Sequence, residues 1–172
     1  MDTIQVCFNR PGQPFDLTLL LNDISAARAY VCLASAWFTD VAVADAVIAA
    51  PAPTKIVLLN AADLQRASVE AYTRLDDYFT ATPAGDPTIV RGLFVLGGDD
   101  WRRDGMLHHK FVAVDPGVVW VGSYNFTTFA RNNYESLVRI ADAAVAARFV
   151  AETRDLVEAN APYQRRGRRN PS

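Results

Sequence analysis

Histidine and cysteine are both scarce in this chain, with two of each in 172 residues. Two cysteines exclude a disulfide framework. Cys7 and Cys32 lie in apolar, strand-like runs and read as buried free thiols, with one structural disulfide as the alternative. Long apolar runs are missing as well: no segment approaches the roughly 20 apolar residues of a membrane span. The opening MDTIQVCFNRPGQPF has an early acid and no long apolar core, which argues against a secretory signal. These absences point to a reducing, cytoplasmic location with no stable membrane association. There is no cluster of Asp, Glu, His or Cys at metal-ligand spacing, so no metal and no other cofactor is expected. No internal repeat and no interdomain linker interrupts the sequence.

What is present suffices for one compact domain. A chain that is 51% hydrophobic and 21% charged can bury a substantial core without disulfides or metals. Residues 1–160 read as a single catalytic domain, and 161–172 as a basic, disordered tail. Thr3 to Phe8 and Ala29 to Ala36 read as strands around an amphipathic helix, on which Leu17, Leu20, Leu21 and Ile24 recur at helical spacing. Val41 to Ala50 reads as a second helix, Lys55 to Leu59 as a buried strand, Leu64 to Thr80 as a third helix and Ile89 to Leu96 as a strand. After a hairpin and the strand Ser136 to Ile140, Ala143 to Ala159 closes the chain as a helix. The alternation is that of an α/β fold.

The hairpin carries the chemistry. In HHKFVAVDPGVVWVGSYN, His108, Lys110, Asp115, Gly122, Ser123 and Asn125 form the pattern HxK(x)4D(x)6GSxN, which occurs once. KFVAV and VVWV are apolar, β-branched runs separated by Asp115-Pro116-Gly117, where Asp commonly starts a turn. With Pro116 and Gly117 as a two-residue loop, Lys110 lies opposite Ser123 and His108 opposite Asn125, roughly 5 Å apart at Cβ. A longer loop shifts this register by a residue or two. Strand alternation puts His108 and Lys110 on one face and His109 on the other.

Each group suits metal-free cleavage of a phosphodiester. A neutral imidazole can attack phosphorus and split one hard displacement into two easier ones, so His108 is the candidate nucleophile. Lys110, the Ser123 hydroxyl and the Asn125 amide are donors for the non-bridging oxygens. Glu135 is placed to accept the second ring N–H of His108 and fix its tautomer. Arg102, Arg103 and Arg131 flank the motif and are candidate phosphate contacts, while Trp101, Tyr124 and Phe126 are candidates for stacking on bases.

The segment from His108 to Glu135 resembles the motif of the phospholipase D superfamily, and the strand ending in AWFTD followed by a helix is similar to that family's opening. The resemblance implies an αβα sandwich around a mixed central β-sheet. It also implies a phosphohistidine on His108, phosphate contacts from Lys110 and Asn125, orientation of His108 by Glu135 and a largely structural Asp115. One departure is Asn60, at the end of TKIVLLN, where many relatives carry Asp. The family reaction uses two histidines, one attacking and one protonating the leaving oxygen. A strand throws His108 and His109 to opposite faces, so the chain supplies one. A two-fold homodimer through the active-site face, as in the small single-motif members, brings two copies of His108 together.

Charge complicates the substrate. The net charge is −2, and four positive charges lie in Arg165-Arg166-Gly167-Arg168-Arg169, so residues 1–164 carry −6. That is not the balance of a protein coated to hold duplex DNA. The basic segment suits non-specific capture of polyanions. The leading expectation is an endonuclease acting on DNA or RNA, with a phospholipase D-type lipid phosphodiesterase or a non-catalytic nucleic-acid-binding relative as alternatives.

Overall fold

The computed structural model describes residues 3–61, 69–82, 89–97 and 105–164, the side chains of 69 and 161–164 excepted. Seven strands form one sheet: β1 (Ile4–Asn9), β2 (Tyr30–Ser35), β3 (Thr54–Asn60), β4 (Arg91–Leu96), β5 (Lys110–Val114), β6 (Val118–Gly122) and β7 (Glu135–Ala141), in the order β1-β7-β6-β5-β2-β3-β4. β2, β3 and β4 are mutually parallel, and β5, β6, β7 and β1 continue the sheet through antiparallel pairings. The described helices are α1 (Thr18–Ala26), α2 (Val41–Ala49), α3 (Val69–Ala81) and α4 (Ala143–Gln164). α4 continues beyond the Ala159 expected from sequence. Residues 64–68 of the expected third helix lie outside the described residues.

The apolar pattern of the strands dictates three layers. In β5, Val112 and Val114 face one core with Leu20 and Ile24 of α1, Val43 and Val47 of α2 and Leu75 of α3. Phe111 and Ala113 face the other, packed on Val145, Phe149 and Leu156 of α4. Both faces of the central strands are covered, which is why β2 and β3 read as continuous apolar runs. The result is an αβα sandwich on a mixed sheet, as the sequence led us to expect. Cys7 and Cys32 are free thiols on strands that are not neighbours, and burial pushes the Cys32 thiol up to about 12.

The hairpin register differs from the expected one by a residue. Val114 pairs with Val118 and Phe111 with Val121, so the loop has three residues, and continuing the ladder sets Lys110 opposite Gly122 rather than Ser123. The reason lies in the loop. Gly117 adopts φ +133°, a conformation that L side chains rarely adopt, and a Cβ there would collide with Ala143 at the start of α4. Asp115, joined to Pro116 by a cis peptide, leaves the ladder altogether.

Asp115 does not belong to the site. It lies at the far end of β5 from Lys110, on the order of 15 Å along the strand. There its carboxylate accepts hydrogen bonds from the backbone N–H groups of Arg28, Ala29 and Tyr30 at 2.8–3.1 Å. The placement corrects its inclusion among the catalytic candidates and agrees with the structural role that the resemblance implied. Burial would raise its pKa, but the donors of Tyr30, Ala29 and Arg28 outweigh burial and hold it below the usual carboxylate range. Asp115→Ala leaves those amides without their acceptor and is expected to cost about 1–3 kcal/mol. The sign with pH follows from the lowered value. The carboxylate's contribution is full above about 3.9 and is lost as pH falls through the lower folded value. Urea midpoints should therefore separate wild type from Asp115→Ala at neutral pH and converge in acid. An unchanged midpoint at pH 7 contradicts the assignment.

Candidate active site

Strand direction gathers the motif at one end of the sheet. β1, β2, β3, β4 and β6 end there, while β5 and β7 begin there, so Asn9, Ser35, Asn60, Lys110, Gly122 and Glu135 share that edge. It is the edge outside the carboxyl ends of the parallel strands, where open α/β sheets form their clefts. His108 lies two residues before β5, on the same face as Lys110. The ammonium of Lys110 is 3.2 Å from Nδ1 of His108 and donates to the His108 carbonyl oxygen at 2.8 Å. His109 turns to the α4 side, with Nε2 3.4 Å from Glu152 and its ring edge-on to Phe111. The expected division of the two histidines between faces is therefore present in the fold.

Across the ladder, Gly122 brings β6 and β7 close together. A Cβ on it would collide with the Ser136 carbonyl oxygen, so the position requires glycine. Ser123 donates from its hydroxyl to Glu135 Oε2 at 2.5 Å and accepts from the Ser136 N–H at 3.0 Å. Asn133 donates to Glu135 Oε1 at 3.3 Å. In this arrangement Glu135 is engaged by Ser123 and Asn133 rather than by the His108 ring. Among the described residues the buried Asn125 Oδ1 has no hydrogen-bond partner, an unusual state for an amide oxygen.

The electrostatics fit the groups' chemistry. Burial, then the neighbouring Lys110 charge, then His109 lower the pKa of His108 and favour the neutral imidazole. Burial also lowers Lys110, with Glu135 opposing it. Among the described residues no group of three or more His, Cys, Asp or Glu is placed to hold a metal ion.

Several residues of the site escaped the sequence reading. Trp37 lies edge-on to His108 with centroids 5.4 Å apart, and the Lys110 ammonium is 5.6 Å from its ring centroid. Ser35, directly opposite Lys110, fixes the Trp37 backbone by donating to its carbonyl at 2.6 Å. Asn9 is buried and donates to the carbonyls of Ala130, Arg131 and Asn133, so it holds the turn Phe129–Asn132 beside Glu135. Asp40 caps α2 at Ala42 and Val43 and binds Arg131 at 2.9 Å. An Asp before VAVADAV is a readable N-cap. Nothing in the sequence marks Asn9.

Other candidates are placed elsewhere. Tyr124 is 1% exposed, with its ring on Phe15 and Phe126, and burial followed by the Asp40 charge pushes its hydroxyl up to about 12. It is a core residue and is not available to stack on bases, nor is Phe126. Alternation continues past β6, so Tyr124 and Phe126 enter the same core as Val118 and Trp120. Arg131 is held in the ion pair with Asp40, the hydrogen bond that raises its pKa, and so acts first as a tie between α2 and the turn. Trp101, Arg102 and Arg103 lie outside the described residues.

Comparison with known proteins agrees with this fold. Residues 20–157 match the family described as the PLD-like domain of cardiolipin synthase. No curated protein matches the sequence. Among solved structures, Nuc from Salmonella typhimurium, a phospholipase D family member, is 21% identical over 90% of this chain and 95% of its own, with TM-score 0.67. NucT from Helicobacter pylori is 19% identical over 90% of this chain and 96% of its own, with TM-score 0.66. TrmBL2, an archaeal chromatin protein that binds DNA, is 20% identical over 92% of this chain and 53% of its own, with TM-score 0.60. With the fold shared along nearly its whole length and the family match spanning most of it, this chain belongs to the phospholipase D superfamily.

Proposed function

We propose that the protein is a metal-independent phosphodiesterase, an endonuclease that cleaves nucleic acid through a phosphohistidine in a homodimeric site. The observation that carries this reading is the Lys110 ammonium 3.2 Å from a lowered-pKa His108 at the cleft edge. A donor on Nδ1 keeps that atom unprotonated and leaves the proton on Nε2. Arrival of a diester changes this, because its non-bridging oxygens are charged acceptors that draw the ammonium away. Nδ1 can then carry the proton, with Glu135 as its acceptor, and the Nε2 lone pair attacks phosphorus. The P–N bond forms as the bond to the leaving oxygen breaks, and the second copy's His108 protonates that oxygen. Water then displaces the imidazole and gives its proton to the same second histidine. Lys110, Ser123 and Asn125 hold the charge that builds on the phosphoryl oxygens.

The second copy also has a surface to meet. Phe129 and Tyr134, on the segment between Asn125 and Glu135, are 79% and 80% exposed. Large aromatic side chains at the mouth of an incomplete site suit a two-fold contact.

The family's description favours a second reading, phosphatidyl transfer or lipid hydrolysis. No helix among the described residues is long and apolar enough to cross a membrane. The likeness to TrmBL2 favours a third, binding of DNA without turnover. Labelled nucleic acids and phospholipid vesicles incubated with pure protein in EDTA separate the three. The nuclease reading expects cleavage of nucleic acid at an undiminished rate in chelator. Activity that vanishes in EDTA and returns with Mg²⁺, or cleavage confined to lipid, contradicts it.

A further inference from the structure

The sheet edge that carries the motif opens on its α4 side into a cavity of about 490 Å³. Leu96, Met106, Leu107 and Leu156 are apolar walls, and His108 is another wall, so the cavity begins at the candidate nucleophile. Asn160 and His109 add polar edges. Asn160 Nδ2 donates to the Leu156 carbonyl at 2.8 Å, which leaves Oδ1 to accept from a ligand. Gly97 and Gly105 also line the cavity, with φ +91° and +71°, the left-handed region that favours glycine, and they present backbone without side chains.

One wall holds unpaired polar atoms. A Cβ on Gly97 would stand 3.3 Å from both Asn60 Oδ1 and the Gly105 carbonyl oxygen. Asn60 is 1% exposed, and among the described residues neither its Oδ1 nor its Nδ2 has a hydrogen-bond partner. A buried amide in that state is costly, and a ligand offering a donor and an acceptor side by side would satisfy it. Gly97, beside Asn60 on the cavity wall, has no side chain to bar the way. Charge points to the same kind of ligand. Residues 1–164 carry −6, and Glu152, Asp155 and Glu158 are exposed along the half of α4 that reaches the cavity. Arg131 gives little help, because it is bound to Asp40. Where the surrounding charge is negative, affinity for a polyanion must draw on its bases, which have apolar faces and edges of donors and acceptors.

We infer that this cavity is a nucleobase pocket. It holds the base of a nucleotide joined to the scissile phosphate, with the base's face on Met106 and Leu156 and its edge towards Asn60 and Asn160. The inference rests on the nuclease reading and adds the substrate class. That class is a single strand, because a base held in a duplex stack cannot enter the pocket. Asn60 and Asn160 act on binding and on the choice of base; bond cleavage stays with the motif.

The experiment uses chromogenic diesters with one scissile phosphate each. They are nucleoside p-nitrophenyl phosphates esterified at the 5′ or the 3′ oxygen, the same sugars without a base, and octyl p-nitrophenyl phosphate. For wild type, one of the two series should show a base-bearing diester with KM about tenfold or more below that of its base-free counterpart. Asn60→Leu and Asn160→Ala approach the cavity from different walls, so a folding defect in one leaves the other to report. Each should shrink the ratio of base-free to base-bearing KM several-fold. Single-stranded oligonucleotides should be cut about tenfold or more faster than the same strands annealed. A wild-type ratio near one in both series overturns the pocket, as does a ratio that neither variant moves, or equal rates on single strand and duplex. An octyl diester preferred to every nucleoside also overturns it, and gives the cavity to an acyl chain. Failure of the nuclease reading looks different: the protein would hydrolyse bis(p-nitrophenyl) phosphate while neither cleaving nor binding any oligonucleotide, single-stranded or duplex.

Discussion

His108→Ala should lose at least about 10⁴-fold in kcat, because removing a covalent nucleophile forfeits the two-step route and leaves only binding and charge stabilisation. The fold should survive. His108 is exposed at the sheet edge and lies outside β5, and its described contacts are to Lys110 and, with the rings perpendicular, to Trp37. Far-UV circular dichroism and urea midpoints should match wild type, and oligonucleotide binding should change little. His109→Ala is the necessary comparison, since its imidazole faces α4 and Glu152; it should stay within about threefold. Rapid quench of wild type should trap an acid-labile phosphoprotein that His108→Ala does not form. The pH profile gives a further check. Because burial, Lys110 and His109 hold His108 low, the imidazole stays neutral below the ordinary value of about 6.5, and the acid limb of single-turnover phosphorylation should fall below that value. A dead His109→Ala alongside an active His108→Ala would refute the assignment of faces.

That assignment was legible in the sequence because it depends only on strand alternation, which survives a change of register. The pairing across the hairpin was not. It depends on whether the loop holds two residues or three, and this is decided by Asp115 bonding to Arg28, Ala29 and Tyr30, more than eighty residues away in sequence. Tyr124 failed for a related reason. A motif of alternating polar and aromatic letters, Ser123-Tyr124-Asn125-Phe126, reads equally as a stacking platform or as two core anchors, and only tertiary neighbours such as Phe15 and the core that both rings enter decide. Layer order was readable from β2, β3 and β5, whose apolar runs demand cover on both faces. The support of the site was hidden because it is tertiary. Asn9 reaches three carbonyls at positions 130, 131 and 133, and Ser35 fixes Trp37 through a carbonyl. Backbone acceptors leave no trace in side-chain patterns.

Mixing wild type with a ninefold excess of His108→Ala protein should cut activity per wild-type chain to about one tenth, once subunits exchange. The argument is one of supply. Attack and protonation of the leaving oxygen need two imidazoles in one site, yet His109 is on the α4 side, paired with Glu152 and packed on Phe111. If chains pair at random, about one wild-type chain in ten finds a wild-type partner, and every heterodimer lacks either the nucleophile or the acid. The exposed rings of Phe129 and Tyr134 supply the means to interfere with pairing without touching the motif. Phe129→Asp places a charge on that surface and should weaken the dimer seen by light scattering. Activity should then rise with protein concentration more steeply than linearly. The same substitution should leave the stability of the single chain nearly unchanged, because the side chain is already in water. Wild-type protein that remains fully active per chain when diluted until light scattering reports only monomer would remove the need for a second His108. The leaving oxygen would then have to take its proton from water or from Glu135, which the Ser123 hydroxyl already engages.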